Sequence, residues 1–156
     1  MKISDLLTEN FVVTNLEGNS KDGIINAIVD LVATSPRVLD KEKVRDAVFE
    51  REQIMSTGVG DGFAIPHGKT DAVSDIVAAF AITAEPIDYE SLDEKPVRLV
   101  FLLVSKVNMV GPHIKLLSRI SRLMNKAEFR NKLLDVKSPK DIIEMFKQEE
   151  ATYFEG

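Results

Sequence analysis

Ile76-Val77-Ala78-Ala79-Phe80-Ala81-Ile82 holds no charge, and Val97 to Val104 forms a second apolar run broken only by Arg98. Both runs have strand length, and continuous apolarity, as opposed to alternation, predicts strands covered on both faces. Covering both faces requires helices on either side of one sheet. The expected fold is therefore α/β, a single mixed β-sheet of about five strands flanked by helices on both faces. With 156 residues, 44% of them hydrophobic, residues 1–156 read as one domain with enough apolar material for a sizeable core.

Upstream, a short amphipathic turn around Ser4–Thr8 leads into Phe11-Val12-Val13-Thr14, which predicts a first strand. Asn19-Ser20-Lys21-Asp22 is an N-cap signal, and Ile24, Ile25, Ile28, Val29, Leu31 and Val32 give the following helix a broad apolar stripe. Pro36 closes that helix, and Asp40 caps another running through Val44, Ala47 and Val48 to about Ile54. Arg51 shares the face of Val44 and Val48 and lies in the last turn, where a cation complements the helix dipole. Such an arginine reads either as a snorkelling cation or as an anion ligand.

The stretch Ser56–Lys69, STGVGDGFAIPHGK, holds three of the chain's eight glycines. It predicts a flexible glycine loop, then a brief strand Phe63-Ala64-Ile65 that stops at Pro66, which cannot donate a sheet hydrogen bond. His67 is expected at the end of that strand and not in its middle. Further on, Gly111-Pro112-His113 opens a helix with Pro112 at the first helical position and Leu116, Leu117, Ile120, Leu123 and Met124 along its stripe. His113 falls on the inward face in the first turn, where positive potential favours a neutral imidazole and unpaired N–H groups can receive an anion. Asn125 with Glu128 is read as the cap of a helix around Phe129–Leu134, and Ser138-Pro139 with Asp141 as the cap of a last helix from Ile142 to about Gln148. Residues 149–156 are expected to fray.

A formal net charge of −5 argues against a nucleic-acid backbone or an anionic membrane surface as partner and suits a basic protein. The absence of cysteine excludes disulfides, thiolate metal sites and thiol nucleophiles. Asp5 and Glu9 interrupt the N-terminus, so it does not read as a secretory signal. The longest uncharged apolar run, seven residues, is far short of the ~20 that span a bilayer as a helix. A soluble, cytoplasmic protein without membrane insertion is expected.

The chain has two histidines, and each follows a proline. Two imidazoles, an arginine and clustered amides suggest a site for phosphate. A neutral imidazole can take a phosphoryl group through a loose, roughly in-line transition state, so the protein mainly positions groups and neutralises charge. His67 would be the nucleophile, Arg51 would neutralise charge, and His113 would hold a phosphoryl oxygen by a hydrogen bond. That chemistry calls for no metal and no cofactor. A metal-dependent hydrolase built on His67, His113 and Asp61 or Asp71 is the alternative, but the spacing supplies no recognised metal constellation. A Ser-His-Asp hydrolase lacks its Gly-x-Ser-x-Gly elbow.

The segment from Glu52 through Val59-Gly60 to Ala64-Ile65-Pro66-His67-Gly68 resembles the phosphohistidine signature of the enzyme IIA domains of the bacterial phosphoenolpyruvate-dependent phosphotransferase system (PTS), in the fructose, mannitol and nitrogen-regulatory class. Arg51, the loop Ile87-Asp88-Tyr89-Glu90-Ser91-Leu92, the Val97–Val104 strand and the His113, Leu117, Ser118 spacing extend the resemblance over nearly the whole chain. It implies that His67 accepts a phosphoryl group from the phosphocarrier HPr, or a nitrogen-branch relative, and passes it to a IIB component. It likewise implies that His113 is the second active-centre histidine and Arg51 the arginine beside it. The family fold is a mixed sheet with helices on both faces. Phe63 departs from the pattern, which usually has an aliphatic residue there. Two roles stay open: the Ser56–Gly62 loop and Gly68-Lys69 look closer to the regulatory branch, whose members control partner proteins by phosphorylation state, and Asp88–Leu92 looks closer to the fructose branch.

Overall fold

A computed structural model describes residues 2–155. The two apolar runs form the centre of the sheet as β5 (Val77–Ile87) and β6 (Val97–Ser105), paired antiparallel from Val77 opposite Val104 to Ile87 opposite Val97. On one side β1 (Val12–Leu16) runs parallel to β5. On the other, β3 (Phe63–Ala64) and β4 (His67–Lys69) follow one another along β6, both parallel to it, and β2 (Gly58–Gly60) lies antiparallel to β3. The result is one mixed six-stranded sheet in the order β1-β5-β6-β3-β2, with β4 also on β6.

Both faces are covered, which is why the central strands carry no polar alternation. Ala78, Phe80 and Ile82 with Leu99, Phe101 and Leu103 face α1 (Ile3–Leu6), α4 (Val110–Met124), α5 (Ala127–Asp135) and α6 (Pro139–Glu150). Val77, Ala79 and Ala81 with Val100, Leu102 and Val104 face α2 (Lys21–Val32) and α3 (Lys41–Ile54). On the first face Phe146 of α6 sits edge-on to Phe80, Phe129 and Phe101, with ring centroids 5.2, 5.3 and 5.8 Å away. Each such contact adds about 0.5–1.5 kcal/mol to the area buried, so α6 is held as part of the core.

Three helix starts lie where the capping residues predict. Ser20 Oγ accepts from Gly23 N, Asp40 Oδ1 from Glu42 N and Lys43 N, and Ser138 Oγ from Asp141 N. Elsewhere the structure corrects the sequence reading. Asn125 ends α4 by donating its N–H to Ser121 O, and Lys126 takes the N-cap position of α5. Pro112 is the third residue of α4, not the first. The glycine loop is mostly a hairpin: Gly58–Gly60 pairs with β3, and Gly60, Asp61 and Gly62 all take positive φ (118°, 58° and 81°) to turn the chain. Gly58 stays a glycine for space, since a Cβ there would lie 2.9 Å from the Cα of Ser91.

The largest correction concerns the C-terminal residues. Glu149 and Glu150 are helical, and Ala151–Glu155 continue α6 as a π-helical turn. The buried Glu150 carboxylate accepts from Ile3 N (2.6 Å) and Ser4 N (2.8 Å) and lies 3.7 Å from Arg119 Nη1. It satisfies the orphan amides of α1 and so fastens the end of the chain to its beginning. Among the described residues no helix is long and apolar enough to cross a membrane.

Candidate active site: a histidine cleft at the sheet edge

Pro66 interrupts the strand line between β3 and β4. Its carbonyl accepts from Leu103 N (3.1 Å), so the break stays anchored to β6. Beyond it His67 pairs with Leu103 and Gly68 with Val104. Leu103 packs with the α4 layer and Val104 with the α2–α3 layer, so strand alternation turns His67 toward α4 and Gly68 toward α3. His67 therefore begins β4, where the sequence reading had put it at the end of the preceding strand. Gly68 allows α3 to come close: a Cβ at this position would lie 3.1 Å from Ala47 C and 3.2 Å from Val48 N. The last turns of α3, with Arg51, are thereby drawn over β4.

The three residues singled out from the sequence line one cleft of about 430 Å³, together with Lys69 and the side chains of Ile54 and Ile114. Neither Asp61 nor Asp71 lines it. His67 is half-buried, and its Nδ1 lies 2.7 Å from the carbonyl of Ile65. A carbonyl oxygen only accepts, so Nδ1 carries the proton and the lone pair of the neutral ring is on Nε2. Burial holds the His67 imidazole below the usual histidine range; the Ile65 hydrogen bond opposes this and the Arg51 charge adds to it. The ring is neutral at pH 7.

His113 is buried, with its ring centroid 5.6 Å from that of His67 and its Nδ1 2.7 Å from Ser105 Oγ. Burial above all, then the charges of His67 and Lys69, push its pKa down to about 4. When the Ser105 hydroxyl donates to Nδ1, the single N–H of the neutral ring is on Nε2. Arg51 is half-buried at the flank of the α3 stripe, and the fully buried positions of that face are Val44, Val48 and Glu52. Its Nη1 donates to Met55 O (2.9 Å), which leaves other guanidinium N–H groups for the cleft.

Sequence reasoning missed Ser105, Lys69 and the support behind Arg51. Glu52 Oε2 accepts from Thr57 N (2.7 Å) and pairs with Lys21 Nζ (3.0 Å). Its Oε1 accepts from the Thr57 hydroxyl and from Tyr89 OH (3.1 Å). This buried network fixes the turn after α3, and that turn presents the Met55 carbonyl to Arg51. A legible signal existed: a carboxylate four residues past Val48 on an apolar stripe needs a buried partner. Burial and the negative charge of Glu52 push the Tyr89 hydroxyl upward, so it stays protonated as a donor.

Comparison with known proteins shows the family. The family described as "Phosphoenolpyruvate-dependent sugar phosphotransferase system, EIIA 2" matches residues 5–149. The chain belongs to this family. Its EIIA type 2 relatives include a fructose-specific EIIA component of Haloferax volcanii, 40% identical over 79% of this chain and 80% of that one. A fructose-specific EIIABC component of Bacillus subtilis is 36% identical over 95% of this chain, which spans only 23% of that longer protein. Among solved structures, the nitrogen regulatory protein IIA-Ntr of Neisseria meningitidis is 31% identical and superposes with a TM-score of 0.86, covering 92% of this chain and 98% of its own. EIIA domains are phosphotransfer components, and the fold and most of the chain's length conform to that class. Phe63, the departure from the family pattern, is 1% exposed in the core beneath α4 and does not line the cleft.

Proposed function

We propose that this EIIA domain is a phosphohistidine carrier that takes a phosphoryl group from an HPr-type phosphocarrier onto His67 Nε2 and passes it to a IIB component for sugar uptake. One observation carries the reading: the Nδ1–Ile65 hydrogen bond leaves the Nε2 lone pair of a neutral imidazole without a hydrogen-bond partner among the described residues, in a cleft shared with Arg51 and His113. In the transfer, the Nε2 lone pair forms the bond to phosphorus while the bond from phosphorus to the donor nitrogen breaks, and the donor keeps that electron pair. The His67 ring gains positive charge, and the Ile65 carbonyl holds the Nδ1 proton throughout. Arg51 and the Nε2–H of His113 are placed to bind the phosphoryl oxygens.

The cleft rim suits a protein donor. Ile54 and Ile114 line it with 79% and 59% of their surface exposed, and Met55 and Val110 beside them are also exposed. Apolar side chains around a half-buried reactive group fit the centre of a transient protein interface. The test is reconstitution with phosphoenolpyruvate, enzyme I and HPr, read by intact mass. An acid-labile gain of one phosphoryl group that disappears in His67→Ala is the expected result. Full labelling of His67→Ala, or no labelling with either an HPr or a nitrogen-branch donor, overturns the proposal.

The likeness to IIA-Ntr over nearly its full length favours a second role, control of partner proteins by phosphorylation state. The two roles separate in one assay: a transport carrier is discharged by a fructose-class IIB component, and a regulator retains its phosphoryl group in that mixture.

A further inference from the structure

A second polar cavity lies at the opposite end of β6 from the histidine cleft. Arg98 is five residues before Leu103, the partner of His67, so at ~3.3 Å per residue the two positions are roughly 16 Å apart along the strand. The cavity holds about 410 Å³ and gathers Lys95, Arg98 and Arg130, with Asp61 as the one carboxylate in its wall. In a chain of net charge −5, three cations facing one acid make a local inversion of sign.

These cations are poorly matched from within. Arg98 donates from Nη2 to Thr83 O (3.0 Å), and its Nε is buried without a hydrogen-bond partner. Arg130 donates from Nη1 to Met124 O (2.7 Å). Among the described residues neither arginine forms an ion pair, and Lys95 Nζ reaches Asp61 only at 3.8 Å with both side chains exposed. A guanidinium with one N–H on a carbonyl and no ion pair among the described residues keeps terminal donors for an anion. Gly62 and Asn131 also line the wall, and its apolar part is contributed by Leu99, Leu134, Pro86 and Pro96. Its volume exceeds what a bare ion fills and lies within the range of small-molecule sites.

We propose that this cavity binds a small organic dianion, a phosphomonoester or a dicarboxylate, with its charged end on Arg98, Arg130 and Lys95 and its carbon body against Leu99 and Leu134. The site is separate from the histidine cleft and does not depend on the phosphoryl-carrier reading.

The experiment is an amide NMR titration of the isotopically labelled protein with glycerol 3-phosphate, succinate and inorganic phosphate in parallel. The expected result is saturable shifts at Gly62, Arg98, Leu99 and Asn131 with at least one organic dianion, bound several-fold more tightly than inorganic phosphate. Whether glycerol 3-phosphate or succinate is the tighter identifies the source of the dianion. Arg130→Gln should weaken that binding about tenfold, the loss of one charge-assisted contact. Arg98 ties β6 to Thr83 O and Arg130 ties α5 to Met124 O, so Arg98→Gln and Arg130→Gln are both read beside a thermal melt, and Lys95→Gln, at an exposed side chain of the wall, should also weaken binding and carries the test independently. Shifts confined to His67 and Gly68, equal binding of inorganic phosphate, unchanged affinity in Arg130→Gln, or no saturation below about 10 mM would each overturn the proposal.

Discussion

Replacing His113 by glutamine removes from the interior a group that resists its proton until about pH 4. An unfolded histidine titrates near 6.5, so between those values the unfolded chain binds more protons than the folded one and stability falls as pH falls. The contribution is complete above 6.5 and is lost through the interval down to about 4. Because His113 is only 3% exposed, solvent screening takes little from it. Integrating that linkage from pH 7 to pH 5 gives a loss of about 2 kcal/mol. Urea unfolding at half-unit steps over this range, for the native chain and His113→Gln, isolates the effect as the difference between two curves. That difference should shrink by about 2 kcal/mol toward pH 5, and the His113 ring resonances should titrate well below 6.5. A difference that stays flat, or a ring that titrates at 6.5 or above, refutes the reasoning that burial keeps this imidazole neutral.

Gly68→Ala presses a methyl group onto the α3 backbone and should cost about 1–3 kcal/mol in chemical denaturation, because main-chain atoms cannot rotate away. Arg51→Gln should slow phosphoryl uptake by about 100-fold, in line with the loss of one transition-state contact, and should raise the His67 pKa measured by NMR, since the Arg51 charge helps to lower it. Ser105→Ala should slow uptake without abolishing it, by releasing the tautomer of His113, while His67 still takes the group. Glu150→Ala should destabilise by about 1–3 kcal/mol in urea unfolding and speed hydrogen exchange at Ile3 and Ser4, whose amides lose their acceptor.

What could be read from the sequence was local, or redundant over many residues. The central strands declared themselves through unbroken apolarity, and Ser20, Asp40 and Ser138 through caps completed within three residues. What escaped depends on partners far along the chain. Glu150 looks like one more polar residue in a tail until its acceptors meet amides 146 and 147 positions away. Glu52 and Tyr89 are 37 residues apart, and nothing local announces their bond. The glycines of β2 carry no strand propensity, and their pairing is set by β3 and Ser91 around them. At the cleft, His67, His113 and Arg51 were visible because proline, glycine and a helix end mark the backbone around each, whereas Ser105 is an unremarkable residue at the end of a strand.

The footing of His67 bears on what the proposed phosphorylation would change. Its backbone is ladder-bonded to β6, its neighbour Gly68 is wedged against α3, and its ring is tethered to Ile65. A stage clamped at three points has little shape to change. On the proposed reading, phosphate added to His67 would enter as roughly two units of negative charge on an unmoved scaffold. A partner that tells the two forms apart must do so by voltage, not by contour, and added salt should blunt its judgement.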